Sequence, residues 1–125
     1  MIPLLKSDLI DLIRQRKKNK YGARKVIVDN IRFDAQFESE VYLELKARLV
    51  AGEISKLSCH VPFLLMGRNE AFICNHEVDF FCAMPDGTSE VHEAKGAEQA
   101  LWKLKRKLFE SSYPEIPYIV HYKRR

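Results

Sequence analysis

The spacing of hydrophobic and polar positions changes period several times along the chain, and each change marks an element. Lys25-Val26-Ile27-Val28-Asp29-Asn30-Ile31-Arg32-Phe33 reads as two short strands around an Asp-Asn turn. Over Ala35–Val50 the period is helical: at 100° per residue Phe37, Val41, Tyr42, Leu45 and Leu49 make one apolar face. Asp34 stands where the N-cap of that helix belongs, and Gly52 where a left-handed residue ends it. Strand patterns follow at Pro62–Met66, Ala71–Cys74 and Glu77–Ala83, with a turn at Gly67-Arg68-Asn69, and again at Val91–Lys95. Glu98–Ser111 predicts a second helix with Leu101, Leu104, Leu108 and Phe109 apolar and Trp102 as a packing residue; Lys103, Arg106 and Lys107 are basic, and Lys105 lies nearer the apolar edge. Tyr118–Tyr122 reads as a last strand, and residues 3–18 as an N-terminal helix leading into a basic run at 14–20. This order predicts an α/β fold, αβββαβ, with a mixed sheet flanked by helices and a basic helix and hairpin in front. The expected organisation is a basic arm at 1–24 and one domain at 25–125.

Two places break the pattern. Glu38 falls in the middle of the apolar face of the first long helix, whereas Glu40 and Glu44 fall at its margin or beyond. A carboxylate on a core-facing stripe is costly unless it is paired, hydrogen-bonded or on a metal. The second place is Val91-His92-Glu93-Ala94-Lys95, where Glu93 and Lys95 share a strand face with Val91. Met84-Pro85-Asp86-Gly87-Thr88 is turn chemistry. If all five residues form the loop, Ala83 pairs with Ser89, Phe81 with Val91 and Asp79 with Glu93, while Lys95 stands opposite Glu77. On strict alternation Asp79 also shares a face with Glu77 and Phe81. A tighter Asp86-Gly87 turn would shift the register by one and part the two carboxylates. Two carboxylates side by side repel, and a divalent cation between them reverses the sign of that interaction. Oxygen-only ligands of this kind suit Mg²⁺ or Mn²⁺.

The charge distribution fits this picture. Residues 1–25 hold eight Lys/Arg and two Asp, residues 26–97 six basic and twelve acidic groups, and residues 98–125 seven basic and three acidic. An acidic middle between basic ends suits a carboxylate cluster holding a metal while flanking cations meet phosphates; a solvated surface gives the same arithmetic. No apolar run reaches the roughly 20 residues of a membrane span, and Met1–Leu5 is too short to read as a signal peptide. Cys59, Cys74 and Cys82 are odd in number and lack CxxC spacing, so they read as reduced and cytoplasmic. Cys59, His60, Cys74 and His76 lack zinc-site spacing, and His92 and His121 read as structural.

Asp79, followed fourteen residues later by Glu93-Ala94-Lys95, resembles the PD-(D/E)XK nuclease signature, with Val78 where the motif's proline would stand. From about Lys20 to Pro114 the chain is similar to a phage- and prophage-borne group of small proteins in that superfamily, related to Holliday-junction resolvases. The similarity lies in Lys20-Tyr21-Gly22, Ile31-Arg32-Phe33-Asp34, Glu38, Tyr42–Lys46, Ala51–Ile54, Val78-Asp79-Phe80, Lys95-Gly96 and Lys103–Phe109. Ala35 departs from it, where a small hydroxyl residue would be expected after Asp34. The resemblance implies a restriction-endonuclease-like core and a Mg²⁺- or Mn²⁺-dependent DNA endonuclease. Asp79, Glu93 and Glu38 would be its metal ligands and Lys95 its catalytic lysine. Lys17, Lys18 and Lys20 in the arm and Lys103, Lys105 and Lys107 in the second helix would meet double-stranded DNA. By analogy alone, the substrate is branched or recombination-intermediate DNA and the protein can act as a homodimer. The rival expectation is a non-catalytic DNA-binding module with structural carboxylates.

Overall fold

Asp29 and Asn30 both take left-handed backbone angles, φ 53° and 64°, the pair of positive values that a two-residue type I′ turn requires. In the computed structural model, which describes residues 25–124, this turn joins β1 (Val26–Val28) to β2 (Ile31–Phe33) in the expected hairpin. The Asp29 carboxylate accepts a 2.7 Å hydrogen bond from the Tyr42 hydroxyl and pairs with Lys46, which ties the hairpin to the helix that follows. The helix expected at 3–18, the basic run, and with them Lys17, Lys18 and Lys20, lie outside the described residues.

That helix, α1, spans Gln36–Val50. Its N-cap is Ala35, without a side-chain cap, and not Asp34 as expected. Asp34 sits one residue too early and pairs with Lys25 at 3.9 Å. At the other end Gly52 adopts φ 82°. Its N–H reaches the Leu49 carbonyl at 3.1 Å and the Glu53 N–H reaches that of Arg48 at 2.9 Å, the two bonds of a Schellman cap. Val41, Tyr42 and Leu45 are buried as the stripe predicts, and Phe37 and Leu49 pack at its edge.

The four strands β3 (Lys56–Met66), β4 (Phe72–Ala83), β5 (Ser89–Lys95) and β6 (Tyr118–Tyr122) form one sheet in that order. The first three are antiparallel, and β6 runs parallel to β5 after crossing over through α2 (Ala100–Ser112). The described region is therefore an α/β fold whose sheet is mixed. Two strands are longer than their patterns suggest. β3 starts at Lys56 rather than Pro62, because the weak strand formers Lys56–Cys59 gain a complete partner in Phe80–Ala83. β4 is a single strand through Asn75 and His76, two polar residues that it buries.

One core cluster holds Phe33, Val41, Tyr42, Leu45, Ile54, Phe80 and Cys82 on the α1 side. The other holds Leu65, Val78, Val91 and Phe109 on the α2 side. On β5 the alternation is regular, with Val91 toward α2 and Ala94 toward α1. On β3 and β4 it is not. Leu57, Cys59, Phe80 and Cys82 belong to the α1 side, yet Val61, Phe63, Leu65, Cys74 and Val78 belong to the α2 side. Strict period two would put all of them on one face. The change of face falls at His60, whose φ is 55°, and at Asp79 across from it; the ladder pairs Cys59 with Phe80 on one side and Val61 with Val78 on the other. A single left-handed residue rotates the strand, so the strict alternation that grouped Asp79 with Glu77 and Phe81 does not hold.

α2 differs from expectation as well. Trp102 and Phe109 are its buried residues, whereas Leu101 and Leu104 are 63% and 55% exposed. The large rings remove more apolar surface from water than the leucines would, and they set the rotation of the helix.

Candidate active site

The loop between β4 and β5 is the five-residue one. The Met84 N–H reaches the Thr88 carbonyl at 2.8 Å, the Gly87 N–H reaches that of Met84 at 3.0 Å, and Gly87 has φ 90°. Ala83 then faces Ser89, Phe81 faces Val91 and Phe80 faces His92. The same register carries Asp79 to Glu93. There the ladder stops. Lys95 finds its strand partner on the other side, at Tyr122 of β6.

Where the ladder ends, the two carboxylates replace carbonyls as acceptors. The Ala94 N–H donates to Asp79 Oδ2 at 2.9 Å, and the Asp79 N–H to Glu93 Oε1 at 3.3 Å. Each side chain thus holds the strand of the other. Asp79 is 7% and Glu93 4% exposed. Buried carboxylates are stabilised by backbone N–H donors of this kind.

Glu38 is 8% exposed, buried on α1 as the helical pattern predicts. Its Oε1 lies 2.8 Å from His60 Nε2. Burial alone would lower the His60 pKa, but the hydrogen bond and charge of Glu38, with Glu77 and Asp79 behind them, raise it above its ordinary value. Burial, then the charges of Glu38 and Asp79, push the adjacent Cys59 thiol up to about 12, so it stays an unreactive thiol at neutral pH. Both groups, near the change of face, thus feel the charges of Glu38 and Asp79. His60 is the partner of Glu38, a role that the sequence pattern gave no reason to assign to it.

On the α2 side the Tyr118 hydroxyl is 2.8 Å from His76 Nε2, which is in turn 3.8 Å from Glu93 Oε1. Burial, then the charges of Glu93 and Asp79, raise the Tyr118 phenol pKa. The Lys95 ammonium lies over the Trp102 ring, 4.7 Å from its centroid. His76, Tyr118 and Trp102 therefore surround the predicted site without having been predicted for it. His76 followed a cysteine at non-ligand spacing, and Tyr118 sat in an ordinary strand pattern. Lys103 and Lys107 are exposed on α2 and Lys105 is half-buried. Cys59 and Cys74 lie on opposite faces, while His60 and His76 are engaged by Glu38 and Tyr118, so these four do not converge. His92 is buried, 2.9 Å from His121 through Nδ1 and 2.9 Å from Glu90 through Nε2.

Among the described residues, no three His, Cys, Asp or Glu side chains are placed to hold a metal ion together. Asp79 and Glu93 do stand side by side, and Mg²⁺ commonly takes one or two carboxylates and completes its shell with water. The donor chemistry thus fits a hard cation at that pair, with Glu38 drawn aside by His60. The family described as protein of unknown function DUF1064 matches residues 18–124, which spans the hairpin, both helices and every candidate residue except Lys17. The chain belongs to this family. No curated protein and no solved structure matches it. The DUF1064 match thus covers the whole αβββαβ run and the paired carboxylates together.

Proposed function

We propose that the protein is a Mg²⁺- or Mn²⁺-dependent DNA endonuclease of the PD-(D/E)XK type, built on a restriction-endonuclease-like core. The observation that carries this reading is the Asp79–Glu93 pair: two buried carboxylates opposite each other where β4 and β5 part, Glu93 held by the Asp79 N–H and Asp79 by the N–H of Ala94. Such a pair is destabilising in an ordinary sheet and useful beneath a cation. The αβββαβ order and the lysine two residues after Glu93 support the same reading.

In this scheme Asp79 and Glu93 hold the cation. When bound, it supplies Lewis acidity toward a phosphoryl oxygen and offsets charge in the phosphorane-like transition state. Lys95, on the same strand face as Glu93, steadies a phosphate oxygen or orients the attacking water. Its ammonium is held against the face of Trp102, a cation–π contact that limits where it can reach. Glu38, engaged by His60 at 2.8 Å, stands outside the pair that holds the cation. Lys103 and Lys107, exposed on α2, give the phosphate backbone an electrostatic footing. No described helix is long and apolar enough to cross a membrane. The free cysteines suit a reducing compartment, the cytoplasm. A symmetric substrate would call for a homodimer, one active site per strand.

The test is incubation with linear, nicked, flapped and four-way DNA, with Mg²⁺, Mn²⁺ or chelator, using the parent chain and Asp79→Asn and Glu93→Gln. Metal-dependent cleavage lost in both variants is the expected result. The Glu38–His60 bond favours a second reading, a DNA-binding module with structural carboxylates. Binding without cleavage on all four substrates would establish that reading instead.

A further inference from the structure

α2 carries a half-buried charge on its sheet-facing stripe. Trp102, Arg106 and Phe109 are spaced by four and three, one helix face, and both rings are buried. The Arg106 guanidinium lies 5.7 Å from the centroid of Trp102 and 5.4 Å from that of Tyr118, and its Nε donates to Glu110 at 3.0 Å. Beside it, Tyr113, Ile116, Tyr118 and two loop prolines, Pro114 and Pro117, complete a cleft of about 300 Å³. Tyr118 belongs to both regions: its ring is a wall of the cleft, and its hydroxyl is the group beside His76 and Glu93. The cleft and the paired carboxylates are thus separated by one aromatic side chain.

We propose that this cleft binds a single unpaired nucleotide of the strand whose phosphodiester lies at Asp79 and Glu93. The inference rests on the nuclease reading and names its substrate class, DNA with an unpaired nucleotide at a junction with duplex. The volume sits at the lower end of small-ligand sites, enough for one nucleotide and far too little for a duplex. The walls include two tyrosine rings, two prolines and a guanidinium paired with Glu110. Aromatic rings and arginine planes are the surfaces on which unstacked bases are held. The helix that forms one wall also carries Lys103, Lys105 and Lys107, with Glu110 its one acidic residue, which suits the attached phosphates.

The test uses the full chain in chelator, so that cleavage does not intervene. Two duplexes of the same length are compared, one fully paired and one with a single-nucleotide flap, with 2-aminopurine at the flap position in both. The flap is expected to bind about tenfold tighter, within the roughly 5- to 150-fold that one stacked base is worth, with 2-aminopurine fluorescence quenched on binding. Ile116→Trp, which fills the cleft, and Arg106→Ala, which removes the guanidinium, should each abolish the preference and leave duplex affinity within about twofold. Circular dichroism checks the fold of both, and a variant that unfolds leaves the other to decide. Equal binding of the two DNAs by the parent chain overturns the proposal, as does a preference that survives in a folded variant. Cleavage with Mg²⁺ is scored separately. Flap preference without cleavage upholds the cleft and overturns the nuclease reading, whereas cleavage without flap preference does the reverse.

Discussion

Alanine and glycine at position 60 separate what the His60 side chain does from what its backbone does. His60→Ala removes the 2.8 Å contact with Glu38 and leaves a buried carboxylate short of a partner, a loss of about 1–3 kcal/mol. It also keeps φ near 55°, where a residue with a Cβ is disfavoured by about 1–2 kcal/mol. His60→Gly loses the same contact but relieves that strain, and glycine's greater freedom in the unfolded chain takes back about 0.5–1 kcal/mol. Both variants should fall below the parent, with glycine above alanine by about 0.5–1 kcal/mol. In a regular strand the order is the reverse. Urea denaturation followed by Trp102 fluorescence measures the difference as a shift in midpoint at constant m. Alanine equal to or more stable than glycine would refute the reasoning, and the change of face on β3 would then have to be imposed by packing rather than by a strained residue.

Three further outcomes follow from the same geometry. Mn²⁺ at ten times its dissociation constant should stabilise the parent by about 1.4 kcal/mol in thermal unfolding, and a shift that persists in Asp79→Ala would place the ion elsewhere. Burial lowers the His92 pKa from 6.5, so the unfolded chain binds this proton more tightly; the His92 contribution to stability should be flat above about pH 6.5 and fall as pH drops below it. His92→Gln should flatten that slope, and an unchanged slope in urea titrations at several pH values would assign it to another group. Leu45→Ala, at a core position beneath α1, should cost about 2–5 kcal/mol by chemical denaturation, and a cost below 1 kcal/mol would mean that α1 is not docked as described.

Much of this arrangement is legible along the chain because it depends on local chemistry. The Asp29-Asn30 turn, the α1 stripe with Glu38 inside it and the regular alternation of β5 each rest on residues a few positions apart. The register of β4 on β5 follows from the length of one loop. What was not legible depends on distant partners. Lys56–Cys59 becomes a strand only because Phe80–Ala83 lies beside it. The α1 and α2 sides of β3 exchange at His60, and nothing in Cys59-His60-Val61 announces a left-handed residue. On α2 the leucines suggest one stripe while the rings occupy another, so Arg106 looked like a surface residue. The periodicity argument that isolates Glu38 would have isolated Arg106 had it been anchored on Trp102 and Phe109.

The interruption of β3 also bears on how copies of this chain can meet. Among the described strands β3 forms one rim of the sheet and is eleven residues long. A rim of that length is a template for strand-to-strand association and, beyond that, for aggregation. Here its middle holds the left-handed His60 and, two residues on, Pro62, which has no N–H to donate. The rim therefore offers only short stretches of regular donors and acceptors on either side. A dimer assembled by continuing this sheet through β3 is disfavoured.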